Sequence, residues 1–363
     1  MKRIITITIA IILVAGLAAG AWFFLKNRGN EVIKNQVTTV ERIGSASPTL
    51  LAGRALAGYW EDTRTHTRYE ITENGDMYRK PENGEAAKIE GVPVLDTRVI
   101  FPSASGRFAV VHFGESRVGV FSIFNADDHT WIPLPEGTEA VAWSPLLERI
   151  VYAERNGTIT SIRIFDLVTK KTTEVIKLAV EDPILAWVTS GEIYLSEKPT
   201  AEAPSSLWSL DIVKKTLKPL VREESGLSIR WASDGSFGLK FTSNSKEAVL
   251  AAISPNNQIL RIAPFTTLPE KCALTKEMAY CGVPISLRSG SILPDDYFLG
   301  RVHAAEDVVA WNLSTGETKK LLLGTEPILT DGGIVQIESP SLQGNQLLFI
   351  NRYDKKLYSL EIE

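Results

Sequence analysis

The sequence is poor in the residues on which metal and nucleophilic chemistry usually depend. Its 363 residues hold two cysteines and four histidines, the latter at His66, His112, His129 and His303 without paired spacing. CxxC and HExxH are both absent, which removes the linear signatures of a redox dithiol and a zinc protease. No G-x-S-x-G elbow occurs, so no serine hydrolase domain of that type is written here. The acidic pairs Asp127-Asp128 and Asp295-Asp296 lack EF-hand spacing and read as solvated loop charge. No basic stripe with interleaved aromatics is present. Lys and Arg total 39 against 43 Asp and Glu. The first 30 residues carry four of the basic and none of the acidic ones, which leaves 35 against 43 in the remainder. Such a mildly acidic body is a poor electrostatic match to nucleic acid. No cofactor, metal site or catalytic residue is expected.

Long apolar runs are also scarce, and the one exception lies at the N-terminus. Residues 4–25 are uncharged, with Lys2 and Arg3 before them and Lys26 and Arg28 after. At 1.5 Å per residue the run is long enough to cross a hydrocarbon core as a helix. A cleaved signal peptide is the competing reading, since the small residues 18–21 offer a cleavage site. Trp22, Phe23, Phe24 and Leu25 extend the run past that site, which favours an uncleaved anchor. The expected order is a short cytoplasmic tail (1–3), a transmembrane helix (4–25), a polar linker (26–53) and an extracytoplasmic body (54–363).

What the body does have is a repeat. Trp143, Trp187 and Trp231 stand 44 residues apart, each ending a short apolar run in AW, AW and RW. After each come a polar turn and further runs of four to seven residues, rich in Val, Ile, Tyr, Trp and Leu and bounded by Gly, Asn, Asp or paired Lys. That is strand-and-turn punctuation, and four strands per 40 to 45 residues is the blade of a β-propeller. Phe101 holds the Trp position one unit upstream, and the next unit downstream begins near Leu274. With the first and last units the sequence predicts an all-β fold, a β-propeller of seven four-stranded blades. The last unit, from residue 336 on, holds only three strands. An unpaired sheet edge is a liability, so an N-terminal segment, within 36–43, is expected to supply the fourth. The tryptophans are expected to pack between blades rather than to line a ligand face.

One unit departs from the others. Residues 284–303 form an insert, and the candidate binding residues within it are Arg288, Asp295, Asp296, Tyr297, Phe298 and Arg301. Loops that break a repeat scaffold are where binding is usually placed, although covering a blade edge would also explain this one. The same unit holds Cys272 and Cys281. A metal pair would need further ligands nearby, so a disulfide across neighbouring strands is expected, in keeping with an oxidising compartment. The sequons at Asn156 and Asn312 fall at a hairpin turn and a strand end, where turn chemistry explains both residues.

The units resemble degenerate WD-type repeats of the TolB-like kind. The residues that carry the likeness are the turns after an apolar strand, Trp143-Ser144-Pro145, Ser233-Asp234-Gly235 and Ser339-Pro340. Leu146-Leu147-Glu148 departs from the pattern. The chain is also similar to a group of bacterial single-pass membrane proteins with a C…YCxVP stretch, here Cys272 and residues 280–284, and a PDDY-x-x-G stretch, here residues 294–300. The resemblance covers roughly residues 54–363 and implies an anchored propeller, with no particular activity or catalytic residues. Function is therefore expected to be binding of a protein or cell-envelope component through loops on one face. A hydrolase or lyase with its site in the central funnel is the alternative, since residues from several blades converge there without a linear motif.

Overall fold

The computed structural model describes residues 47–91, 93–114, 119–244, 247–324 and 333–362. The transmembrane helix expected at 4–25 and the closing segment expected at 36–43 lie outside them. Among the described residues no helix is long and apolar enough to cross a membrane.

Strand β1 (Thr49–Ala52) belongs to the last blade, and the rest follow in chain order. Blade I is β2 (Leu56–Asp62), β3 (Thr67–Thr72), β4 (Met77–Pro81) and β5 (Ala87–Ile89). Blade II is β6 (Val99–Pro102), β7 (Phe108–Phe113), β8 (Val120–Asn125) and β9 (Trp131–Pro133). Blade III is β10 (Thr138–Trp143), β11 (Arg149–Asn156), β12 (Ile159–Asp166) and β13 (Lys171–Leu178). Blade IV is β14 (Ile184–Thr189), β15 (Glu192–Ser196), β16 (Pro204–Asp211) and β17 (Thr216–Ser225). Blade V is β18 (Ser228–Trp231), β19 (Gly238–Ser243), β20 (Ala248–Ile253) and β21 (Ile259–Ile262). Blade VI is β22 (Cys272–Leu274), β23 (Met278–Pro284), β24 (Glu306–Asn312) and β25 (Thr318–Leu322). Blade VII is β26 (Ile337–Gln343), β27 (Gln346–Asn351) and β28 (Leu357–Glu361), completed by β1.

Every sheet is an antiparallel meander, and the first strand of each blade is innermost. The hydrophobic core is correspondingly split into seven clusters, each shared by two neighbouring blades. Strand β7 shows why the sequence reads as it does. Ala109 and Val111 face blade I while Val110 faces blade III, and all three are fully buried. A strand covered on both faces alternates between two cores, so it appears as an unbroken apolar run.

The tryptophans pack between blades as expected. The Trp143 indole donates to the carbonyl of Phe101 in blade II at 2.7 Å. Trp187 joins the core between blades III and IV, and Trp231 sits edge-on to Tyr194 of blade IV with ring centroids 5.0 Å apart. Burial pushes the Tyr194 phenol up to about 12, with the Glu192 carboxylate adding to the effect.

The ring closes through β1, which runs antiparallel to β28 with Thr49 opposite Ser359. An N-terminal strand does complete blade VII, but the strand paired with β28 is Thr49–Ala52, directly before blade I, and not one within the expected 36–43. Behind it, the buried Glu70 carboxylate takes Arg54 at 3.1 Å and Arg68 at 2.9 Å. One turn assignment needs correction. Ser339-Pro340 does not follow the inner strand of blade VII but interrupts it, at an irregularity between Glu338 and Ser341 where Ser339 takes a positive φ of 50°. The turn itself is at Gly344, with φ 54°.

Alternating strand direction gives the ring two distinct faces. The connections between blades and those between second and third strands share one face, here the upper. The first-to-second and third-to-fourth turns share the lower.

Candidate functional site

The insert leaves β23 on the upper face and returns at β24, so it begins over blade VI. Its one helical turn, α1 (Asp295–Phe298), is fixed by backbone and carboxylate contacts. Asp295 accepts from Thr200 Oγ1 at 2.6 Å and from the Ala201 N–H at 2.8 Å, both in the second-to-third-strand loop of blade IV. Ser243 of blade V donates to the Leu293 carbonyl. On the other side Gln336 Nε2 donates to Val302 O at 3.1 Å and Arg352 Nη2 to Gly300 O at 2.8 Å. Four consecutive blades, IV to VII, are thus joined across the upper mouth of the ring.

Beneath the insert lies a group of charged and phenolic side chains from the inner strands. Arg230 of β18 donates from Nη1 to Glu270 O at 3.2 Å and reaches Pro340 O of β26 with Nη2 at 3.4 Å. To touch both, a side chain from blade V must pass in front of blade VI, which places the guanidinium in the channel. No carboxylate pairs with it among the described residues. Burial draws Arg230 below its usual range, opposed by the Glu270 carboxylate, yet an arginine stays protonated at any working pH.

Glu270 sits in a single 3₁₀ turn, Pro269–Lys271, ahead of β22. Its Oε1 accepts from the Ser228 hydroxyl, while its Oε2 is buried without a partner. Burial raises its pKa, and the Ser228 hydrogen bond and the Arg230 charge act the other way. An orphaned buried carboxylate oxygen is costly and calls for an explanation.

Next to it the chain buries an ion pair, Lys271 with Glu306, whose other oxygen accepts from Ile337 N–H at 2.8 Å. Burial lowers the ammonium and raises the carboxyl, and each charge restrains the other. The Lys271 ammonium stands 5.2 Å from the centre of the Tyr297 ring. Burial, then the charges of Glu270, Glu306 and Glu338, raise the Tyr297 phenol. Across the channel, Tyr59 of β2 donates to Ser339 O at 2.8 Å and lies 2.9 Å from Ser341 Oγ. Its phenol is likewise raised by burial.

The six insert residues singled out by sequence therefore divide. Asp295 is spent on blade IV, and Asp296 on the Ile292 N–H at 2.8 Å and on Arg301 at 3.5 Å. Tyr297 turns down toward the mouth. Phe298, Arg288 and Arg301 face solvent, with Ile292 and Leu299 beside them. Asp127 is held by Arg64 and Arg107, each at 2.7 Å, and Asp128 caps Thr130. Cys272 and Cys281 are direct cross-strand partners in β22 and β23 and form a disulfide.

Sequence reasoning passed over Arg230, Glu270, Lys271, Glu306 and Tyr59. For Arg230 a signal was present, because it replaces the Ala142 and Ala186 that precede the tryptophan in the two preceding repeats.

No protein-family model and no curated protein matches the sequence. Solved structures match over most of the chain. They share its propeller fold. The WD40 repeats of RRP9 superpose with a TM-score of 0.57 at 9% identity, over 89% of this chain and 100% of that one. An oligogalacturonate lyase in complex with manganese gives 0.54 at 12%, over 88% and 99%. The oligogalacturonate lyase of Vibrio parahaemolyticus gives 0.57 at 9%, over 90% and 95%. At these identities the likeness is one of fold. Among the described residues no three His, Cys, Asp or Glu side chains gather as a cation's ligand set would.

Proposed function

We propose that the protein is a membrane-tethered, extracytoplasmic propeller that binds an acidic group of a protein or cell-envelope component at its upper mouth. The observation that carries this reading is Arg230, a guanidinium in the channel with no carboxylate partner among the described residues, beside the unpartnered Oε2 of Glu270. A ligand that offers a carboxylate to the first and a hydroxyl or N–H to the second would satisfy both, and charge-assisted bonds of this kind are the strong ones. The outward Phe298 and Leu299 would add apolar contact at the rim. Extracytoplasmic placement is favoured by the disulfide, and tethering by the uncharged run at 4–25.

The test is thermal stabilisation of the full chain by a panel of acidic probes: a uronic acid, glutarate, an acidic peptide and inorganic phosphate. Stabilisation by at least one member that Arg230→Ala abolishes and Arg230→Lys partly retains supports the reading. Equal stabilisation of wild type and Arg230→Ala would remove it.

A lyase or hydrolase in the same channel is the second reading. Glu270, Lys271 and Tyr297 supply acid and base groups at one mouth, and the fold is shared with oligogalacturonate lyases. Release of unsaturated products from a polyuronate, lost in Lys271→Met, would favour it over simple binding.

A further inference from the structure

We propose that the lower face of blades III and IV docks on an anionic lipid surface. Four large aliphatic side chains stand out there: Leu146 is 76% exposed, Leu147 54%, Val168 74% and Val213 83%. Leu146 and Leu147 occupy the first turn of blade III, while Val168 and Val213 occupy the third-to-fourth-strand turns of blades III and IV. These turns are contiguous. The Leu167 N–H donates to Glu148 O at 3.0 Å within blade III, and Lys215 Nζ reaches from blade IV to Glu174 O of β13 at 3.2 Å.

The two valines are held outward by a shared device. Asp166 Oδ1 accepts from the N–H groups of Val168 and Thr169 at 3.1 and 2.8 Å, and Asp211 Oδ1 from those of Val213 and Lys214 at 3.0 and 2.8 Å. Lys170 and Lys215 complete the turns at φ 58° and 56°. Blades II and VI build the same turn from Asn125 and Asn312, with Asp127 and Ser314 in the valine position. Turn geometry therefore does not require an aliphatic residue, and neither does packing at such exposure.

The charge around the tips fits the same occupant. Lys170, Lys171, Lys214 and Lys215 crowd the two turns, and among the described residues only Lys214 of these four has a carboxylate within reach, Asp211 at 3.3 Å. The neighbouring acids are engaged within the fold, Asp166 by Arg149 at 2.6 Å and Glu148 by Arg107 at 2.8 Å. Aliphatic tips ringed by lysine suit the boundary between acyl chains and anionic headgroups. Topology agrees, since β1 starts on the lower face, so residues 47–48 join the ring on that side. The proposal borrows from the tether reading only this direction of approach.

The test places an environment-sensitive nitrobenzoxadiazole dye at Val213→Cys in the full chain, the native cysteines being paired, with Phe298→Cys as the upper-face control. The chain is mixed with phosphatidylcholine vesicles or with vesicles containing about a third phosphatidylglycerol. A blue shift at position 213 only with anionic vesicles, reversed by 0.5 M salt through screening and absent at 298, supports docking. In Leu146→Ser/Leu147→Ser/Val168→Ser the shift should fall at least several-fold. A dye at 213 that stays water-like with both vesicles, or shifts equally with both, or a shift at 298 instead, would overturn it. Flotation with neutral vesicles reports the tether separately, so either idea can fail alone.

Discussion

Asp295 and Thr200 sit in blades VI and IV, which are not neighbours, yet the Thr200 hydroxyl donates to the Asp295 carboxylate at 2.6 Å. The contact makes the insert a strap across blade V rather than a free loop.

That strap should be pH-dependent. Burial pushes Asp295 up, but the Ala201 N–H and the Thr200 hydroxyl outweigh it and hold the carboxyl below its ordinary range. A depressed folded pKa contributes stability above the unfolded value of about 4, lost as pH falls through the folded one. Amide exchange in residues 285–305 is expected to speed up below about pH 4, and Asp295→Asn should show fast exchange at neutral pH without that step.

Removing Glu70 should loosen the closure of the ring. Its side chain is 1% exposed between Arg54 and Arg68, themselves 33% and 11% exposed. Breaking a buried pair leaves uncompensated charge, so Glu70→Ala is expected to cost about 3 kcal/mol in urea unfolding. Glu70→Gln should cost less, because it keeps the volume and some hydrogen bonding.

Two glycines with the same backbone should respond differently. Gly235 has φ +68°, and a Cβ there would come within 2.0 Å of Val188 O in blade IV, whereas Gly157 has φ +62° and open space. Gly157→Ala should cost about 1 kcal/mol for the left-handed conformation alone. Gly235→Ala must also push two blades apart, and a melting temperature no lower than that of Gly157→Ala would refute this.

The disulfide should resist reductant while the ring is folded, because Cys272 and Cys281 are both fully buried. Alkylation after reductant treatment is expected only under denaturing conditions. Replacing both by Ala frees a loop of about ten residues in the unfolded chain and should cost about 2.5 kcal/mol on the chain-entropy account.

The blade count was legible because the tryptophans recur where each inner strand packs on its predecessor. The need for a closing strand was legible from a three-stranded last unit, but its position was not. Thr49–Ala52 is four residues long, and nothing in so short a stretch distinguishes a strand from a linker. Ser339-Pro340 misled because a bulge and a turn draw on the same residues. Within the site, Arg230 showed as a break in the repeat. Glu270, Lys271 and Glu306 did not, since their burial depends on an insert folding over the mouth from another part of the chain.

The latch also has a mechanical meaning. Strand β1 enters from the lower face and lies antiparallel to β28, so a force applied to Thr49 and directed away from that face acts along the strand axis. In that direction the hydrogen bonds between the two strands are sheared together rather than peeled one after another. Tension from that side would thus meet the stiffer of the two ways a sheet edge can be loaded.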